Sequence, residues 1–236
     1  MNLNFIHKYA SPVYFYAFAC RLSPWLAAIA VLLFVAGLIG GLVLAPADYQ
    51  QGESFRIIYV HVPAAWMSLF IYMVMATSGA MGLIWHVKIG DMIARACAPL
   101  GAWFTALALL TGSLWGKPMW GTYWVYLGYI ALQGAIEDRR IAARAGAILA
   151  LVGTVNIPII HYSVEWWNTL HQGPTVTKFD KPSIDTAMLI PLLIMSLAYT
   201  FYFFAVMMQR ARCEILEAER HTSWVKERAA RTAVTR

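Results

Sequence analysis

The chain has 236 residues, of which 60% are hydrophobic and 13% are charged, and its mean hydropathy is +0.59. Soluble domains carry about a quarter charged residues, so this composition excludes an ordinary soluble protein and indicates a membrane protein. The formal net charge of +6 does not by itself point to nucleic acid, because basic residues in membrane proteins mark the cytoplasmic loops.

Six uncharged stretches divide the chain, and a membrane-spanning helix needs about 20 apolar residues. They cover 22–47, 57–87, 96–116, 118–136, 145–164 and 186–209. We therefore predict an all-α, polytopic membrane protein with six transmembrane helices. Residues 1–209 would form the transmembrane domain. Residues 210–236, which mix Arg, Lys and Glu with Leu and Ala, would form a cytoplasmic C-terminal tail.

The basic residues predict the orientation of these helices. Of the 18 Lys and Arg residues, 14 fall in the terminal segments and alternate connections, and the other connections hold Arg56, Lys117, Lys178 and Lys181. The positive-inside rule places the more basic side, and with it both termini, in the cytoplasm. The connections 46–56, 115–124 and 162–185 then share the outer face.

The connection at 115–124 carries three tryptophans, Trp115, Trp120 and Trp124, separated by Gly and Pro residues. Gly and Pro interrupt regular structure, so this segment is predicted to be a shaped loop. An aromatic belt at the membrane–water boundary is one explanation for so many indoles. A platform for a flat apolar ligand at the membrane surface is the other.

The fourth uncharged stretch is short. If the loop extends to Trp124, only 125–136 remain, and these twelve residues of helix would cover about 18 Å of a hydrocarbon core of about 30 Å. Removing this span would break the alternation of basic connections. We therefore predict that residues are absent after Val125, either because they are deleted from the protein or because the sequence as numbered passes over them.

Three of the six histidines, His61, His161 and His171, are predicted to lie on the outer side. Imidazole is a standard axial ligand of haem iron, and nearby indoles and cations would suit a porphyrin ring and its propionates. Zinc is the competing metal, with Glu165 as a fourth ligand, in a metal-dependent membrane hydrolase. No H-x-x-x-H or H-E-x-x-H spacing is present, so the residues favour a porphyrin.

Motifs that would indicate other chemistry are absent from the sequence. There is no C-x-x-C-H sequence, so covalent haem attachment of the c type is not expected. There is also no P-loop and no Gly-x-Ser-x-Gly elbow. We therefore expect a protein that is not an enzyme.

Four stretches carry a family resemblance, which covers nearly the whole chain. The sequence Trp-Gly-Lys-Pro-Met-Trp-Gly-Thr-Tyr-Trp at 115–124 resembles the tryptophan-rich motif of haem-handling membrane proteins. The stretches 45–52, 59–66 and 160–173 resemble the cytochrome c maturation protein C family. One departure is clear: the family motif continues after Val125 with Trp and then Asp-Ala-Arg, whereas Tyr126 follows directly here.

The resemblance implies six helices and a haem site on the periplasmic face of the bacterial inner membrane. It implies two axial ligands to the haem iron, which map onto His61 and His171. The cargo would be haem b, held transiently and without a covalent bond. Arg56 is the predicted partner of a haem propionate. The other predicted haem-contacting residues belong to the tryptophan-rich motif: Trp115, Gly116, Pro118, Trp120, Gly121 and Trp124.

The resemblance also implies partners. They are a periplasmic haem chaperone called protein E, the ATP-binding cassette subunits A and B, a small membrane protein D, and membrane lipid, but no nucleic acid. The expected function is to present haem to the chaperone during maturation of c-type cytochromes. The alternative is a cofactor-free assembly subunit of a membrane transporter, whose tryptophan-rich loop docks a partner protein.

Overall fold

The structure is a computed structural model that describes residues 10–49, 51–115, 121–155, 157–158 and 184–234, with the side chains of 113–125 and 232–234 left outside that description. In the described part of the chain the regular structure is helical. The single β-type contact there is an isolated bridge between Asp48 and Gly52. The prediction of an all-α protein is therefore confirmed.

Seven α-helices lie within the described residues: α1 (Pro12–Leu38), α2 (Ile58–Trp85), α3 (Lys88–Trp115), α4 (Gly121–Ala135), α5 (Arg139–Gly153), α6 (Thr186–Ala218) and α7 (Ser223–Val234). A π-helical segment, Ile39–Leu44, extends α1. A short 3-10 helix, Glu53–Ile57, leads directly into α2.

Four regions of the described chain are long and apolar enough to cross a membrane: Pro12–Leu44, Glu53–Trp85, Lys88–Gly112 and Thr186–Ala218. They correspond to the first, second, third and sixth predicted spans. Helices α4 and α5 have 15 residues each. At 1.5 Å per residue each is about 22 Å long, less than the hydrocarbon core of about 30 Å. The fourth and fifth spans therefore stay predictions.

The point after Val125 lies inside α4, which passes through Val125 and Tyr126 without interruption. The predicted absence of residues there would therefore shorten this helix. It would account for the difference in length between α4 and the four long apolar regions. That absence stays a prediction.

Two pairs of long helices organise the bundle. In the first pair, α1 packs against α6, and glycine permits the close approach: a Cβ atom at Gly37 would lie 2.6 Å from Met195 Sδ, and one at Gly40 would lie 3.2 Å from Pro191 Cγ. In the second pair, α2 and α3 form a hairpin through His86. That residue adopts a left-handed conformation with φ of 55°, which ends α2 and reverses the chain.

Large apolar side chains cover the outside of α1 and its π-helical extension. Leu32 is 70% exposed, and Val43 and Leu44 are 69% and 74% exposed. These side chains present no polar group that would need to hydrogen-bond with water. A helix surface that faces lipid requires this property.

The antiparallel arrangement gives the bundle two ends. The His61 end comprises residues 40–61, the last turn of α3 and the first turns of α6. At the opposite end, here called the tail end, Tyr16 of α1 is buried with Ile89, Met92 and Ile215. Helix α7 packs there as well, because the rings of Trp224 and Tyr16 meet edge to face at 5.8 Å.

Candidate functional site

His61 lies in the first turn of α2, at the His61 end of the bundle, and is half-buried. The 3-10 helix immediately before α2 fixes where that turn begins. Its Phe55 side chain is buried, as are Ile58 and Tyr59 at the start of α2. The burial of these three side chains positions the first turn of α2, and with it the backbone that carries His61.

The His61 imidazole lies against the last turns of α3. Its Nδ1 atom is 3.0 Å from the hydroxyl oxygen of Thr111. The ring also lies close to Gly112, where a Cβ atom would come within 2.9 Å of His61 Cε1. Sequence analysis missed Thr111 and Gly112, although both interrupt an apolar run just before Trp115.

Arg56 was predicted to meet a haem propionate, and the structure gives it two protein partners. Its Nη1 atom donates a hydrogen bond of 2.7 Å to the carbonyl oxygen of Gly41, in the π-helical segment. Its Nε atom pairs with the Glu53 carboxylate one turn earlier. Arg56 therefore joins α1 to the 3-10 helix. A guanidinium has five N–H donors, so these contacts leave capacity for a further anion, and the propionate contact stays a prediction.

The described helices leave fewer residues for the tryptophan-rich loop than predicted. Helix α3 extends to Trp115 and α4 begins at Gly121, so the connection is 116–120 instead of 115–124. Trp115, Gly121 and Trp124 are described in their backbone alone, whereas Gly116, Pro118 and Trp120 lie outside the described residues.

Several predicted site residues also fall outside the described part of the chain. His171, the second predicted axial ligand, is one of them, as are His161, Glu165, Lys178 and Lys181. The predicted connection 162–185 is described from residue 184 onwards. The pairing of His61 with His171 therefore stays a prediction.

Within the ranges that the structure describes, no three His, Cys, Asp or Glu side chains come together as a metal site. The zinc alternative relied on His161, His171 and Glu165, all of which lie outside those ranges. Two of the described residues that lie against His61 are Thr111, which offers a hydroxyl group, and Gly112.

His61 and the C-terminal end of α3, which ends at Trp115, lie at the same end of the bundle. Thr111, which contacts His61, lies four residues before Trp115. Thr111 and the first tryptophan are therefore about one helical turn apart on α3. The four long apolar regions place this arrangement in a polytopic membrane protein. The class defined by fold and site is therefore a polytopic helical membrane protein with a half-buried imidazole near the end of α3.

Comparison with known proteins identifies the family. The family model described as heme exporter protein C matches residues 5–226, which is most of the chain. The chain belongs to the heme exporter protein C family.

Relatives from bacteria and a plant support this assignment. Heme exporter protein C of Haemophilus influenzae is 44% identical, over 94% of this chain and 96% of the relative. The protein of the same name from Escherichia coli (strain K12) is 47% identical, over 94% of this chain and 95% of the relative. A Marchantia polymorpha protein named a putative cytochrome c biosynthesis ccmC-like mitochondrial protein is 43% identical, over 67% of this chain and 72% of its own length.

Proposed function

We propose that this protein binds haem b at the periplasmic face of the bacterial inner membrane and presents it for the maturation of c-type cytochromes. The observation that carries the proposal is the placement of His61. Its imidazole is half-buried and contacts Thr111, which lies one helical turn before Trp115 on α3. The names of the relatives, which refer to heme export and cytochrome c biosynthesis, support the same ligand.

His61 and His171 would bind the haem iron from opposite faces of the ring, since imidazole nitrogen is a standard axial ligand. The indoles of Trp115, Trp120 and Trp124 would pack along the porphyrin. Arg56, which already turns part of its guanidinium toward Gly41 and Glu53, would meet a propionate with its remaining donors. Ligands that come from different segments of the chain suit a site that must load haem and then release it.

The proposed topology places both termini and the tail end in the cytoplasm. The reason is the excess of Lys and Arg at that end and in the terminal segments. The His61 end then faces the periplasm, where a periplasmic haem chaperone would collect the cargo. The proposed partners are this chaperone, protein E, together with the cassette subunits A and B and the small membrane protein D. The protein itself would be a haem-handling subunit and not an enzyme.

The test is the absorption spectrum of the purified full-length protein after reconstitution with haem. Two imidazole ligands predict a Soret band of a six-coordinate, low-spin haem. The double substitution His61→Ala, His171→Ala should abolish this band or convert it to a weak high-spin form, because the iron loses both axial nitrogens.

The matched control is His86→Asn, which removes an imidazole at the other end of α2, keeps a residue type that accepts the left-handed backbone there, and should leave the spectrum unchanged. If the double variant retained the low-spin spectrum, the axial assignment would be wrong. If the wild-type protein bound no haem even when purified with its partners, the cofactor-free docking subunit would be the better description.

A further inference from the structure

Among the described residues, the hydroxyl group of Thr111 has three polar neighbours. Its Oγ1 atom is 2.7 Å from the carbonyl oxygen of Leu107 and 3.3 Å from that of Ala108, both in the preceding turn of α3. The same oxygen is 3.0 Å from Nδ1 of His61, a residue 50 positions away in the sequence. The three contacts together restrict where the hydroxyl proton lies.

A hydroxyl group has one proton to donate and two lone pairs that accept. The carbonyl oxygens of Leu107 and Ala108 accept only, so the short 2.7 Å contact requires the Thr111 proton to point at Leu107. A second acceptor at Nδ1 would compete for that same proton. All the contacts are satisfied together when Nδ1 of His61 carries the hydrogen and donates it to Thr111.

We infer that Thr111 is a positioning residue that holds His61 in the Nδ1–H tautomer, so that Nε2 carries the lone pair which binds the haem iron. The inference rests on the proposed function for its ligand. The tautomer itself is a property of this chain's own residues. A metal-bound histidine commonly donates its other ring N–H to a nearby acceptor, which fixes the ring and raises the basicity of the ligating nitrogen.

Gly112 completes the contact surface for the imidazole. A Cβ atom at this position would lie 2.9 Å from Cε1 and 3.5 Å from Nδ1 of His61. Since 2.9 Å is closer than carbon atoms normally approach, a side chain here would push the ring away from Thr111. The absence of a side chain at Gly112 therefore lets the imidazole reach the hydroxyl group on the same helix.

The first measurement needs no haem. In full-length protein labelled with ¹⁵N-histidine and kept at about pH 8, where imidazole is neutral, the ¹⁵N shifts report which ring nitrogen carries the hydrogen. The signals lost in His61→Ala identify His61. Wild type and Thr111→Ser, which keeps the hydroxyl, are expected to show the Nδ1–H form. Thr111→Val, of similar shape but without the acceptor, is expected to shift His61 toward the Nε2–H form.

The second measurement uses the haem-loaded protein. Loss of the Nδ1–H hydrogen bond makes the imidazole a weaker electron donor, so Thr111→Val should raise the haem midpoint potential. It should also weaken haem retention by about 10-fold or more, the range found when an outer-shell partner is removed. Thr111→Ser should restore both values. Gly112→Ala should resemble Thr111→Val, because it displaces the same ring.

The outcomes separate this inference from the proposed function. If wild type binds haem through His61 but Thr111→Val matches it in ¹⁵N shifts and midpoint potential, the positioning role is wrong and the proposed function stands. If the ¹⁵N shifts follow the expected pattern but no haem binds, the tautomer assignment stands and the proposed ligand is wrong. If wild-type His61 shows the Nε2–H form, the inference is overturned directly.

Discussion

At the His61 end, Gly41 is in close contact with both Arg56 and Tyr59. Its carbonyl oxygen accepts the hydrogen bond from Arg56. Its Cα faces the ring of Tyr59, so that a Cβ atom would lie 2.6 Å from Cγ and Cδ2 of that ring. Tyr59 is 1% exposed and has no room to withdraw. One glycine thus lets the end of the first apolar region approach the helix turn that carries His61.

The substitution Gly41→Ala should therefore destabilise the protein by about 1–3 kcal/mol, the usual cost of overpacking a filled core. The measurement is the thermal unfolding midpoint in detergent. Because Tyr59 lies two residues before His61, haem retention should fall as well. Gly128→Ala is the matched control: its nearest atom, Leu149 Cδ2, is at an ordinary 3.8 Å, and alanine favours a helix. Equal midpoints for the two variants would contradict this account of Gly41.

The two short helices are held in the bundle by buried tyrosines of α2 and α4. The Tyr126 hydroxyl of α4 donates to the carbonyl oxygen of Ser68 at 2.6 Å, and the Tyr72 hydroxyl of α2 donates to that of Ala150 in α5 at 2.7 Å. The rings of Tyr72 and Tyr126 meet edge to face at 5.6 Å. These contacts position α4 and α5 in the bundle, although both helices are shorter than the four long apolar regions.

Helix α5 begins at an acidic N-cap. The Asp138 carboxylate accepts hydrogen bonds from the backbone N–H groups of Arg140 and Ile141 at 2.8 and 3.1 Å. The bonds from Ile141 and then Arg140 lower the pKa of Asp138 below its ordinary value of 3.8. A lowered folded-state pKa means that the cap stabilises the helix above the unfolded-state pKa and that this contribution is lost as pH falls through the folded value.

We therefore expect the amide hydrogens of Arg140 and Ile141 to be protected near neutral pH and to lose protection, relative to the rest of α5, below about pH 4. Hydrogen exchange read by mass spectrometry over a series of pH values measures this, after correction for the intrinsic rate. Asp138→Asn keeps an acceptor oxygen but does not titrate, so its relative protection should stay flat. A wild-type profile as flat as that of Asp138→Asn would show that the cap does not act through the carboxylate.

At the level of the whole molecule, charge is concentrated at the tail end. There Arg95 of α3 pairs with Glu214 of α6 at 3.2 Å, and Arg139 of α5 pairs with Glu217 at 3.4 Å. The guanidinium of Arg228 in α7 lies 4.7 Å from the centre of the Tyr16 ring. The basic residues that predict the orientation therefore also join the ends of several helices.

The three native cysteines allow the proposed orientation to be tested without introducing new ones. Cys213 is exposed, Cys20 is intermediate and Cys97 is buried. With the tail end in the cytoplasm, a membrane-impermeant maleimide should label Cys213 in inverted inner-membrane vesicles and not in spheroplasts. The control Cys213→Ser should remove most of the labelling in the vesicles. Strong labelling of Cys213 in spheroplasts would show that the topology is the opposite of the proposed one, with the His61 end in the cytoplasm.

Much of the fold follows from the sequence because long uncharged stretches leave a chain few alternatives in a membrane. Four of the six predicted stretches correspond to regions that could span it. The prediction of a loop up to Trp124 is wrong at its C-terminal end, because the Gly and Pro residues of this segment do not prevent α4 from beginning at Gly121. Counting apolar residues also gives no information on what each helix packs against, so the tyrosine contacts of α4 and α5 were not predicted.

By itself the sequence determined the helical class, the positions of the long apolar helices and the choice of His61 as a candidate ligand, because length, hydropathy and residue type are local properties. The tertiary structure alone decided that His61 faces Thr111 and Gly112 and that Arg56 reaches Gly41. Those contacts join residues far apart in the chain. They form because an antiparallel helix hairpin and a close glycine approach bring distant turns to one end of the bundle.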